Sequence, residues 1–132
     1  AGLRVGYLIA RPDLAKRLKS AVMANTNILA IAAAQGALGD EDFYKFSIAK
    51  NTEAKEHIYN TLDELNLEYI RSHTNFVFFK TGMPITDVMQ AMKEENVLVG
   101  RPFPPLLDWC RISTGTMDEM ELFSKALKKV MG

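Results

Sequence analysis

This 132-residue sequence has one cysteine, two histidines and five prolines, and its 16 Lys and Arg are matched by 16 Asp and Glu. Each shortage excludes something. Cys110 has no partner for an internal disulfide, which fits a reducing cytoplasm. A net charge of zero offers no electrostatic footprint for nucleic acid or an acidic membrane. No apolar run approaches the ~20 residues of a membrane span, and the longest, Ile28 to Ala34, is short and Ala-rich. The opening residues carry no signal-peptide pattern, and the chain starts at Ala1 without an initiator Met. With 48% hydrophobic and 24% charged residues, disorder, collagen-like repeats and low-complexity linkers are excluded. What is present suits one compact domain, able to bury roughly two-thirds of its unfolded surface without a covalent staple.

Leu3 to Ala10 alternates, with Leu3, Val5, Tyr7 and Ile9 on one side and Gly2, Arg4, Gly6 and Leu8 on the other. That pattern predicts a strand. Pro12-Asp13 opens a helix. Asn25-Thr26-Asn27 caps an Ala-rich segment, Ile28 to Leu38, which is apolar all round and expected to pack against more protein than a small domain offers. Gly39-Asp40 ends it and caps a long helix, Glu41 to Leu65. Strands are predicted at Leu67 to Arg71 and Asn75 to Lys80, joined by a short polar turn. A helix follows Pro84, with Ile85, Val88, Met89 and Met92 inward. A short strand, Val97 to Val99, then precedes the Pro-rich loop Gly100 to Pro105. A last strand, Trp109 to Thr114, leads to the capping box Thr116-Met117-Asp118-Glu119 and a helix with Met120, Phe123, Leu127 and Val130 inward. The order predicts an α/β chain with helices covering a small sheet.

Little of this carries chemistry. His57 and His73 lack Cys or acidic neighbours at metal-ligand spacing, so no metal site is expected. Asp40-Glu41-Asp42 sits where acidic residues favour a helix N-terminus, and Glu94-Glu95 ends a surface helix. Cys110 has no histidine nearby in sequence to activate it and reads as a small core residue. Three arginines stand apart. Arg4 lies between Gly2 and Gly6, a recess suited to gripping a phosphate or carboxylate, or else an edge position reaching solvent. Arg111 lies inside an apolar strand and must reach water or find an anion. Arg101 stands in an exposed loop of the kind that contacts ligands.

Ala1-Gly2-Leu3-Arg4-Val5-Gly6-Tyr7 resembles the segment that follows the catalytic lysine in fold-type I pyridoxal-phosphate aminotransferases, above all those of the histidinol-phosphate type. The Ala-rich helix, Thr74-Asn75-Phe76 and Arg111-Ile112-Ser113-Thr114-Gly115-Thr116 follow in the family's order. The resemblance implies that Arg4 contacts the phosphate of pyridoxal 5'-phosphate and Arg111 receives the substrate's α-carboxylate. It matches Arg101 to an arginine on the substrate phosphate, although the loop Gly100-Arg101-Pro102-Phe103-Pro104-Pro105 departs from the usual pattern. None of the ten lysines stands in the family's Ser-Lys context. The Schiff-base lysine is therefore expected upstream of Ala1, with no catalytic residue in this chain and no activity from it alone.

On that resemblance the chain is a C-terminal part of such an enzyme. Residues 1–39 would complete the large cofactor-binding domain, giving it one strand and helices. Residues 40–132 would form the small domain with its long connecting helix. The implied substrates are an amino acid and a 2-oxo acid, and the implied parent is a cytoplasmic homodimer. Two alternatives stay open: a decarboxylase of the same fold, and a non-catalytic amino-acid-sensing α/β domain. The latter would have no need of the Gly2-Arg4-Gly6 segment or the Ala-rich helix.

Overall fold

A computed structural model describes residues 2–132, so Ala1 of the opening motif lies outside the described residues. The elements are α1 (Pro12–Ser20), α2 (Ile28–Gly39), α3 (Glu41–Glu64), β1 (Tyr69–Ile70), β2 (Phe76–Lys80), α4 (Ile85–Glu94), β3 (Trp109–Ser113) and α5 (Met117–Met131). They fall into two compact units, Ala1–Phe46 and Ser47–Gly132, and α3 spans the division. The α/β class stands.

In the first unit the predicted strand from Leu3 to Ala10 does not form. A strand needs a neighbour for its amide and carbonyl groups. Here no described segment pairs with it, and Arg4 adopts φ 55°, outside the extended region. Side chains built at Gly2 or Gly6 would meet nothing within 4 Å, so the space beside Arg4's neighbours is open. Helix α1 starts on Pro12, where a missing N–H does no harm. Helix α2 is capped by Asn27, whose Oδ1 accepts from the Leu29 and Ala30 amides at 2.9 and 3.4 Å. It is apolar all round, yet only Ala30 is buried; Ile28, Leu29 and Leu38 are 77%, 71% and 79% exposed. Asp40 Oδ1 accepts from the Phe43 amide at 3.0 Å, capping α3 as the sequence predicts.

In the second unit the strands form an antiparallel sheet in the order β1-β2-β3. Strand alternation sends Val77 and Phe79 of β2, with Cys110 and Ile112 of β3, to one face. On that face they pack with Ile58 and Leu62 of α3, Val88 and Met92 of α4, and Phe123 and Leu127 of α5. Phe76, Phe78, Trp109 and Arg111 therefore occupy the opposite face, where they are half-buried. The predicted strand Val97 to Val99 is absent. The Val97 amide donates back to Met92 O at 2.9 Å, and the next bond, Gly100 N–H to Arg111 O at 2.8 Å, comes only after the segment ends. One bond at each end is not a ladder.

Helix α5 opens on the predicted capping box. Thr116 Oγ1 accepts from the Glu119 amide, and Glu119 Oε2 accepts from the Thr116 amide at 2.8 Å. Thr116→Ala removes one of these bonds and is expected to destabilise the unit by about 1 kcal/mol. A urea titration followed by circular dichroism checks this as a lowered midpoint with unchanged slope.

Candidate functional site

The sheet face turned away from the core gathers a group of aromatic rings around one cation. Register places Phe78 of β2 directly opposite Arg111 of β3, and Trp109 lies two residues before it on the same face. The Phe78 and Trp109 rings lie 5.0 Å apart, tilted by 30°. Phe103, from the loop 100–106, meets Phe78 edge-on at 6.0 Å. Phe76, Phe78, Phe103, Pro104, Leu106 and Arg111 line a cavity of about 340 Å³.

Arg111 lies in this cavity between two rings, its guanidinium carbon 5.3 Å from the Phe76 centroid and 4.8 Å from that of Phe103. Its Nε is buried without an acceptor. Among the described residues no carboxylate comes within ion-pair distance of it. Aromatic rings stabilise a guanidinium through their negative faces but accept none of its in-plane N–H bonds. The arrangement holds the charge in place and leaves the donor fork for an incoming anion, of which a carboxylate or phosphate fits bidentately.

Arg101 is exposed, and its guanidinium carbon lies 4.5 Å from the same Phe103 ring. It donates through Nη1 to Pro102 O at 3.3 Å. The structure thus brings Arg101 and Arg111 together on one ring, while Arg4 belongs to the other unit.

The loop that carries Phe103 is fastened along its length. Gly100 N–H donates to Arg111 O at 2.8 Å, Leu106 N–H to Phe103 O at 2.8 Å, and Ile85 N–H to Leu107 O at 2.8 Å. The far end of β3 is fastened as well. Thr114 Oγ1 donates to Asn51 Oδ1 at 3.0 Å, and the Thr114 amide to Asn75 O at 2.9 Å. Asn51 Nδ2 donates to Thr74 O at 3.2 Å. The two sequence motifs around Thr74-Asn75 and Arg111 to Thr116 therefore meet through Asn51 of α3.

Cys110, next to Arg111 in the chain, points into the core. Burial pushes its thiol up to about 12, with a hydrogen bond from the Gly100 backbone acting the other way. At neutral pH it is a protonated thiol, inert as a nucleophile. Sequence reasoning missed Phe76, Phe103 and Asn51. The one available signal was an aromatic residue two positions after an arginine in a Pro-rich loop.

The family model for aminotransferase class I and II matches residues 1–127. A curated relative, histidinol-phosphate aminotransferase 2 of Methylococcus capsulatus, is 37% identical over 99% of this chain and 36% of its own length. The solved structure of a protein from Erwinia carotovora atroseptica superposes with a TM-score of 0.90, at 33% identity, over 97% of this chain and 37% of that one. Histidinol-phosphate aminotransferase from Sinorhizobium meliloti, solved in complex with pyridoxal-5'-phosphate, gives 0.64 at 28% identity, over 77% of this chain and 29% of its own. The chain thus spans a little over a third of the length of the curated relative it matches.

Proposed function

The chain belongs to the class I and II aminotransferases, and from that premise we propose that it is the C-terminal portion of a pyridoxal-phosphate-dependent enzyme. The enzyme, of the histidinol-phosphate type, moves an amino group between an amino acid and a 2-oxo acid. The observation that carries this reading is Arg111, held between two aromatic rings with its donor fork uncommitted. Support against a regulatory amino-acid-sensing domain comes from the reach of the family match, which includes the opening segment around Arg4.

In this reading Arg111 receives the substrate's carboxylate as a paired salt bridge, and Arg101 reaches a second anionic group such as a phosphate. Arg4 holds the phosphate of pyridoxal 5'-phosphate; no side chain crowds the chain at Gly2 or Gly6. When bound, that cofactor supplies the electron sink on which the chemistry depends. The chain's own contribution is positioning. Arg101 and Arg111, both seated on Phe103, hold the substrate in one orientation, which removes the entropy of finding it from the barrier. The half-buried aromatic setting of Arg111 lowers the effective dielectric around its charge and so strengthens its pull on an anion. Residues 1–39 belong to the large domain and 40–132 to the small domain of a cytoplasmic homodimer.

The full-length protein, loaded with pyridoxal phosphate, is the material for the test. It is expected to transfer the amino group of histidinol phosphate or an amino acid to a 2-oxo acid, while the 132-residue chain alone shows no turnover. Cofactor-loaded protein that turns over no amino donor, or releases carbon dioxide from the substrate instead, overturns the reading.

A further inference from the structure

We propose that Phe103 is a positioning residue that seats the guanidinium groups of Arg101 and Arg111 for the anionic groups of the substrate. The inference rests on the reading of Arg111 as a substrate anchor and adds what holds it there. Both guanidinium carbons lie over the Phe103 ring, at 4.5 and 4.8 Å from its centroid. Two positive charges that close to one ring repel each other. A carboxylate placed between them would offset the repulsion but would also take the donors that a ligand needs. An aromatic face offsets it without accepting a single in-plane N–H bond.

Phe103 is itself held for this task. Its ring meets Phe78 edge-on, and its carbonyl accepts from Leu106 N–H at 2.8 Å. On the far side Arg111 rests over Phe76, so the buried Nε points away from solvent and the terminal nitrogens remain for the ligand. Among the described residues Arg101 has no comparable second ring, and its hydrogen bond there, at 3.3 Å, is to the adjacent Pro102 carbonyl. Without the Phe103 face, Arg101 is an exposed loop side chain with its full rotamer freedom, and ordering it on a ligand costs correspondingly more. Leucine at 103 would fill much of the same volume and supply no π face. That contrast separates positioning from packing.

The test follows the Nε–Hε signals of Arg101 and Arg111 by NMR while the full-length, cofactor-loaded protein is titrated with inorganic phosphate, with acetate as the singly charged control. Both signals are expected to move together with phosphate, and acetate to bind more weakly. Phe103→Leu should weaken phosphate binding about 5- to 10-fold, the size of one or two lost cation–π contacts. Phe103→Tyr should stay within about twofold of the original because it keeps the ring. The β2 and β3 amide signals report that the Leu variant remains folded. Phosphate binding unchanged in Phe103→Leu, but lost in Arg111→Gln, overturns the positioning role and leaves the anchor reading intact. The same overturning follows if Phe103→Tyr is as weak as Phe103→Leu. Binding unchanged in Arg111→Gln overturns the anchor reading and the inference with it.

Discussion

Arg111→Ala in the full-length enzyme is expected to raise the KM for the amino-acid substrate about 30-fold or more, the equivalent of about 2 kcal/mol or greater. The affinity for pyridoxal phosphate, read from its absorbance, should not change. The magnitude follows from the environment. A surface ion pair is worth little, because water and salt compete for both partners. Arg111 sits instead between the Phe76 and Phe103 rings with its Nε already out of water. Removing it leaves the substrate carboxylate in that aromatic cavity with no charge to meet. Arg111→Lys keeps a charge but loses the planar fork and most of the stacking, so it should recover only part of the loss. Steady-state kinetics over a range of donor concentrations give the answer. A KM that stays the same in Arg111→Ala sinks the assignment.

The second large effect comes from a residue that touches no ligand. A methyl group at position 100 would come 2.6 Å from Arg111 O and 3.2 Å from Arg111 Cβ. The first of these contacts is with backbone, which cannot swing aside as the end of a side chain can. The Gly100 amide also donates to that same carbonyl, so the two segments are already drawn together. Gly100→Ala must push the loop away from β3. The expected cost is about 1–3 kcal/mol of stability, the usual range for overpacking. Because the displaced loop carries Arg101 and Phe103, the KM for substrate should rise as well. Denaturant unfolding and kinetics on the same sample measure both effects. Equal stability with normal KM would show that the close approach at Gly100 is not needed.

The elements that formed as read are those whose signals are local. The Thr116–Glu119 capping box needs only four residues, and Pro12 and Asp40 mark helix starts by backbone chemistry alone. The alternation of β3 sends Cys110 to the core and so puts Arg111 on the other face. Strand assignments failed where pairing was required and not supplied. Leu3 to Ala10 has the alternation of a strand but no described partner, and Arg4 turns out of the extended region. Val97 to Val99 has the composition of a strand, yet the Val97 amide bonds back to Met92 of α4, and the bond to β3 comes only from Gly100 after it. Periodicity cannot report a neighbour.

The same division holds for the site. An arginine inside an apolar strand was visible because a buried charge is anomalous in any sequence. Its aromatic seat was not visible, since Phe103 lies eight positions away in a loop whose path depends on Gly100, Leu106 and Ile85. Nor was the part played by Asn51, 63 residues before the Thr114 hydroxyl it accepts from. The Ala-rich helix α2 illustrates a different limit. Its all-round apolar character was legible, but in this chain Ile28, Leu29 and Leu38 stay exposed.

The most direct measurement is a crystal structure of the full-length protein with pyridoxal phosphate and an amino-acid substrate analogue bound. Both carboxylate oxygens are expected within hydrogen-bond distance of the Arg111 terminal nitrogens, with the guanidinium still held between Phe76 and Phe103. A carboxylate bound elsewhere, with those nitrogens turned to solvent, contradicts the assignment of Arg111 as the substrate's anchor.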